Sequence, residues 1–280
     1  MTVADLFGYA GKRVLVVGGA TGMGAAAAQT ARSLGANVTV MDIAPVTYDV
    51  DKAIEMDLRD PQSINAAIDD LDGTLDAVFS AAGIADGPDL MRANFIGHRH
   101  LIERLVSTDR VQSGSAICFI SSVAGMSWEE NLEQVQEFLA NPDFESADKW
   151  CVAHESDGFI HYGFSKAAIN AYVAMEAYPL RAKGIRINAI CPGPTDTPLA
   201  RANEDLWLGF AKDYREATGA PVHTPEQQGN AMIFLNSDAA SGISGVTLIV
   251  DSGHAMSSIT GSYAPGKPIM DILMGKVKFG

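Results

Sequence analysis

The amino-acid sequence predicts a doubly wound α/β fold, a parallel sheet covered by helices on both faces. Three observations carry this. Apolar, strand-like runs alternate with helix-like segments along the 280 residues. The runs are too continuously apolar for a sheet with one wet face. The first of them, Val14 to Val17, passes through the glycine-rich turn VVGGATGMG into the alanine-rich stretch Ala25 to Leu34, the order strand, tight turn, helix.

Taken in order, RVLVVG (13–18) reads as a strand, a helix starts at Gly22, and NVTVMD (37–42) is the next strand. A helix near 61–70, the strand TLDAVFSAAG (74–83) and a helix around 90–106 follow. Then come SAICFISS (115–122), a helix from Tyr162 to Lys183, IRINAICPG (185–193), a helix from Pro225 to Leu235, and GVTLIVDSG (245–253). With no linker or repeat, residues 1–280 read as a single domain. Two segments stand outside the alternation: an insertion at about 126–161 and a C-terminal extension at about 257–280.

The insertion carries its own helix signals. Ser127 and Glu130 have the spacing of a capping box, and Leu132, Val135, Phe138 and Leu139 form an apolar stripe that Asn141-Pro142 would end. A second short helix is expected from Ser146 to His154. Between Trp128 and His161 there are nine acids against Lys149 alone, so the margin beside it is expected to be negative.

Thirty-four acidic against 20 basic residues give a net charge of −14, which argues against nucleic acid and anionic membranes as partners. Cys118, Cys151 and Cys191 form neither a disulfide framework nor a zinc pattern, and the six histidines lack ligand spacing, so no metal is called for. The N-terminal segment lacks the apolar core of a signal peptide, and no stretch is apolar enough to span a bilayer. The expectation is a soluble, cytoplasmic protein.

Gly18, Gly22 and Gly24 let the backbone approach a ligand, while the following helix would turn its unpaired N–H groups to a pyrophosphate. Asp42 closes the second strand 18 positions beyond Gly24, where a carboxylate accepts from an adenosine ribose and repels a 2′-phosphate. Neither Ile43 and Ala44 nor the loop Gly19, Ala20, Thr21 offers a cation for that phosphate. NAD is therefore favoured over NADP. Tyr162 and Lys166 stand at i and i+4, on one helix face, where an ammonium would lower the pKa of the phenol. Ser121 and Ser122 close a strand expected to end at the same sheet edge.

On these residues, from about Gly11 to Gly253, the sequence resembles the short-chain dehydrogenase/reductase family. The spacing G-x-x-x-G-x-G is the family's own. The insertion, SSVAG and TDTP resemble most the bacterial 3α-hydroxysteroid dehydrogenase/carbonyl reductase group. The resemblance implies a catalytic tetrad of Asn94, Ser122, Tyr162 and Lys166: Tyr162 as general acid or base, Lys166 on the nicotinamide ribose, Ser122 on the substrate oxygen, and Asn94 holding a water against the lysine. It implies cofactor contacts from Gly18, Thr21, Gly22, Met23, Gly24, Asp42, Asp57, Leu58, Ala82, Gly83, Tyr162, Lys166, Pro192, Gly193, Thr195 and Thr197. SAAG, Ser80 to Gly83, departs from the family's N-N-A-G and puts the sheet-stabilising role of its asparagines in doubt.

The reading is an NAD-dependent oxidoreductase that interconverts a secondary alcohol and a ketone on an uncharged, bulky cyclic, terpenoid, steroid or aryl substrate. A dinucleotide-binding regulator without catalysis is the alternative. His161 is either a substrate contact or structural. Assembly as a homodimer or homotetramer is expected, with the C-terminal extension on a neighbouring subunit or, as the alternative, a mobile end.

Overall fold

Side chains of the first strand alternate between two apolar clusters: Val14 and Val16 enter one, Leu15 and Val17 the other. That is what a strand covered on both faces requires. The structure, a computed structural model, describes residues 2–157, 160–274 and 276. Its strands are β1 (Arg13–Val17), β2 (Asn37–Asp42), β3 (Lys52–Glu55), β4 (Leu75–Ser80), β5 (Val111–Ile120), β6 (Arg186–Pro192) and β7 (Thr247–Val250). They form one parallel sheet in the order β3-β2-β1-β4-β5-β6-β7. The order reverses between β1 and β4, and a crevice at their carboxyl ends is where such sheets bind ligands.

The helices are α1 (Val3–Phe7), α2 (Gly22–Ser33), α3 (Pro61–Asp69), α4 (Gly97–Ser107), α5 (Leu132–Leu139), α6 (Phe144–Ala153) and α7 (Tyr162–Ala182). Beyond them lie α8 (Pro198–Arg201), α9 (Glu204–Trp207), α10 (Lys212–Thr218), α11 (Pro225–Asn236), α12 (His254–Thr260) and α13 (Lys267–Leu273). α2 and α11 cover one sheet face and α3, α4 and α7 the other. The alanines of α2 have a purpose: Gly229 of α11 sits so near the Ala27 main chain that a Cβ would lie 2.9 Å from its nitrogen.

The single-domain doubly wound Rossmann fold expected from the sequence is the fold observed. Its edge strand β3 was not anticipated, because four residues with alternating half-exposure carry little apolar signal. The helix expected around 90–106 is instead a π-helix at Arg92–Ile96 leading into α4.

The insertion folds as two helices, but the expected capping box does not form. Ser127 lies in a 3₁₀ turn, Val123–Trp128, and α5 begins only after Asn131, whose side chain donates to the Ser127 carbonyl at 3.0 Å. Asp143 caps α6, two residues earlier than expected. Val135, Phe138 and Leu139 are buried against α7 and the π-helix in the main core, each contributing about 1.5–3 kcal/mol.

The C-terminal extension, placed on a neighbour by the sequence reading, folds over its own chain as far as it is described. α13 packs against α12 and the 3₁₀ turn after β5, burying Met270 completely. The last residues of that expectation, Lys278 among them, lie outside the described ones.

Candidate active site

The carboxyl ends of β1, β2, β4, β5 and β6 bring the residues singled out in the sequence to one edge. Gly18, at φ +80°, takes a backbone form that glycine accepts freely, and a Cβ there would strike the Ala82 main chain. Gly24 likewise lies against the Gly18 carbonyl, so α2 begins hard against β1. Thr21 is the N-cap of α2 but its hydroxyl makes no capping bond. The first-turn N–H groups thus have no side-chain partner beside a cleft of about 320 Å³, which is the donor set a pyrophosphate needs.

That cleft is lined by Gly18, Thr21, Gly22, Met23, Gly24, Asp42, Asp57, Leu58, Ala82, Gly83 and Thr197. A second cavity of about 510 Å³ is lined by Ser122, Tyr162, Lys166, Pro192, Gly193 and Thr195. Met23, Ala82, Gly83 and Thr197 border both, so the two are continuous. Asn94 alone of the predicted residues lies behind the wall.

Asp42 accepts from the Ala20 and Ala44 N–H groups at 2.8 and 2.9 Å, which leaves lone pairs on both oxygens for a diol. A cation absent from the sequence reading is present here. Arg59 lines the same cleft, and its guanidinium forks onto Asp57 at 2.9 and 2.7 Å. The Arg59 fork holds the Asp57 carboxyl below its ordinary range.

His161 caps α7 by accepting from Phe164 N–H at 3.3 Å through Nδ1, which sets Tyr162 as the first helical residue. Lys166 follows one turn later, its Nζ 5.4 Å from the Tyr162 ring centre and donating to the Ile120 carbonyl at 3.1 Å. Both serines border the cavity, but their partners differ. Ser121 is buried and donates to the Lys166 carbonyl at 3.1 Å, whereas Ser122 accepts from Ala124 N–H at 3.1 Å and its hydroxyl stands in hydrogen-bond reach of Tyr162.

The expected lowering of the tyrosine pKa is not what the site shows. Burial pushes the Tyr162 phenol up, with the Ser122 hydroxyl acting only partly against it. Burial likewise lowers Lys166 to about 8. Desolvation opposes both charged forms.

Asn94 sits in the π-helix, a frequent feature of functional sites. It accepts from Ile84 N–H at 2.7 Å and donates to the Ile84 carbonyl at 3.0 Å and to Ser165 Oγ at 3.2 Å. Thr195 donates to the Gly193 carbonyl at 2.9 Å, and Thr197 caps α8.

Several neighbours had gone unrecognised. Ser80 and His98 meet at 2.5 Å, and His98 reaches the Ala82 carbonyl at 3.0 Å with its other nitrogen. Burial lowers this imidazole to about 4, so it is neutral and ties β4 to α4 in the region where the asparagines were missing. The Trp207 ring meets Tyr162 edge-on at 4.8 Å, and Phe210 and Leu273 complete an apolar wall. Trp207 and Phe210 lie in segments whose sequence has no periodicity to place them, whereas Leu273 shares helical spacing with Ile269 and Ile272, a spacing that does not say which cavity it lines.

This arrangement defines a Rossmann-type oxidoreductase. The family model described as short chain dehydrogenase matches residues 12–132, and one described as enoyl-(acyl carrier protein) reductase matches residues 149–255. The chain belongs to the short-chain dehydrogenase/reductase family, whose cofactor is a nicotinamide dinucleotide.

Among similar proteins is the coniferyl-alcohol dehydrogenase of Pseudomonas sp. (strain HR199 / DSM 7063), 26% identical and covering 89% of this chain and 98% of that protein. The cis-4-hydroxycyclohexanecarboxylate dehydrogenase of Sinomonas cyclohexanicum is 29% identical, covering 88% and 97%. The solved 3-alpha-hydroxysteroid dehydrogenase of Pseudomonas sp. B-0831, complexed with NADH, superposes with a TM-score of 0.70 at 25% identity over 89% and 98%.

Proposed function

We propose that the protein is an NAD-dependent oxidoreductase that interconverts a secondary alcohol and a ketone on an uncharged, bulky cyclic, terpenoid, steroid or aryl substrate. One observation carries the reading: Tyr162 and Ser122 share an apolar-walled cavity of about 510 Å³ that opens into the glycine-turn cleft. Coniferyl alcohol carries an aryl ring and 4-hydroxycyclohexanecarboxylate a ring-borne secondary alcohol, which supports the cyclic or aryl part of the class, while the absence of charge rests on the acidic insertion.

The donor set fits the cofactor. Uncapped N–H groups of α2 would hold the pyrophosphate, Asp42 the adenosine ribose, and Lys166 the nicotinamide ribose. Once bound, the nicotinamide supplies hydride exchange at its C4. Ser122 Oγ donates to the substrate oxygen, and Tyr162 Oη–H gives its proton to that oxygen in reduction or receives it in oxidation. Trp207 and Phe210 keep water from the apolar side of the cavity.

Three buried, free cysteines support a reducing compartment such as the cytoplasm. Among the described residues, no helix is long and apolar enough to cross a membrane. A homodimer or homotetramer is supported by Met175 and Tyr178, apolar and exposed on α7.

The test is absorbance of the reduced cofactor with NAD or NADP and a panel of cyclic and aryl secondary alcohols. Tyr162→Phe should cut turnover about 100- to 10,000-fold while NAD binding stays nearly intact. Near-normal turnover of the variant, or no turnover by the unmodified protein, would refute the reading.

A further inference from the structure

The π-helix that carries Asn94 is gripped at both ends by the insertion. At its start, the Arg92 guanidinium forks onto Asp148 of α6, with Nε to one carboxylate oxygen at 2.6 Å and the terminal nitrogen to the other at 2.7 Å. Near its end, the fully buried Phe95 ring packs on the fully buried Phe138 of α5 at 5.5 Å, with Tyr172 of α7 edge-on at 5.7 Å. Asn94 lies between these grips, and its amide holds both main-chain polar groups of Ile84 on the cavity wall.

A π-helix replaces the regular i to i−4 ladder with a wider turn, so its geometry depends more on what surrounds it. A forked Arg–carboxylate pair fixes both distance and plane, and an aromatic contact fixes the other end. The side chains of Arg92 and Asp148 remain 37% and 22% exposed. That is more access to water than Phe95 or Phe138 has, so the pair can be altered without opening the core.

We infer that the insertion is a brace for the π-helix: Asp148, through Arg92, is a positioning residue that sets Asn94 and with it the Ile84–Gly83 wall against Lys166. A Cβ at Gly83 would lie 3.1 Å from Asn94 Oδ1 and 3.8 Å from Lys166 Nζ, so a small movement of Asn94 reaches the lysine's surroundings directly. The insertion then acts on the proton-handling groups and not only on the shape of the substrate cavity.

The inference rests on the dehydrogenase reading for its kinetic consequence and on geometry alone for its structural one. Misplacement by an ångström or less costs on the order of tenfold to a hundredfold in rate. Asp148→Ala should therefore lower kcat about tenfold, leave KM and NAD affinity within about twofold, and speed amide exchange across residues 84–97. Arg92 also pairs with Asp89 at 3.1 Å, so the rescue is the conservative Asp148→Glu, which keeps a carboxylate for the guanidinium and should retain most of kcat. Glu145→Gln, on the same helix but paired with Lys149 on the surface, should change neither readout.

The decisive comparison is made in an Asn94→Ala background, where Asp148→Ala should add nothing to the loss in kcat if it acts through Asn94. Two losses that multiply, or an unchanged kcat with unchanged exchange, would overturn the inference. Should the unmodified protein turn over no alcohol, the function proposal fails, and exchange across 84–97 still decides the brace: faster in Asp148→Ala supports it, unchanged refutes it.

Discussion

Asp42 and Arg59 set opposite signs in one cleft. Asp42 presents a carboxylate at the end of β2, and the Arg59 guanidinium on the cleft wall is bound by Asp57. Asp42→Ala should narrow the preference for NAD over NADP about ten- to a hundredfold, the range of one charged hydrogen bond. Combining it with Asp57→Asn should lower the KM for NADP further by releasing Arg59. Steady-state kinetics with both cofactors check this, and an unmodified protein equally efficient with both would contradict the premise. The sequence revealed Asp42 because it closes an apolar run. It hid Arg59 because cleft membership depends on how the loop after β3 folds back. Tyr162 and Lys166 were legible from a four-residue spacing, whereas the direction of the tyrosine shift depends on burial, which spacing does not carry.

Among the elements, regular ones with strong apolar runs were legible and their irregular neighbours were not. β1, β2, β4, β5, β6 and β7 stood out, while β3 and the π-helix at Arg92–Ile96 did not. A π-helix differs from an α-helix by one residue per turn over a single turn, which leaves the apolar pattern nearly unchanged. The C-terminal extension shows the limit differently. Its apolar residues suggested a partner; within the chain the fold buries Met270, while Ile269 stays exposed. Leu273 of α13 lines the substrate cavity, so α13 is a wall of the site. Leu273→Ala removes apolar contact worth about 1–2 kcal/mol to a bulky substrate, and KM should rise about tenfold for it. For a short secondary alcohol that cannot reach α13, KM should hold. Equal effects on both substrates would show that the leucine does not touch the substrate.

For the whole molecule, the site is a stability cost set into a well-packed core, and pH exposes it. Lys166 is buried and lowered from 10.5 to about 8. Below pH 8 the folded protein therefore holds an ammonium that water would solvate better. Between about pH 8 and 10 the unfolded chain keeps that proton while the folded protein releases it, so this lysine's contribution to stability rises with pH in this window. Cys118, Cys151 and Cys191, all pushed up by burial, oppose the lysine from about pH 9, where unfolded thiols ionise, and the remaining buried groups act elsewhere. His98, lowered to about 4, costs stability as the pH falls from 6.5. Tyr9, Tyr48, Tyr162 and Tyr172, all pushed up by burial, oppose the lysine only above pH 10, where unfolded tyrosines ionise. Lys166→Met isolates the one contribution. Subtracting the variant's unfolding free energy from that of the unmodified protein, both without cofactor, should give a difference that grows by about 2 kcal/mol from pH 8 to pH 10. Urea unfolding at half-unit steps measures it. Parallel curves for the two proteins would mean that the lysine keeps its ordinary affinity for the proton, and that the proton-handling centre is wetter than its burial implies.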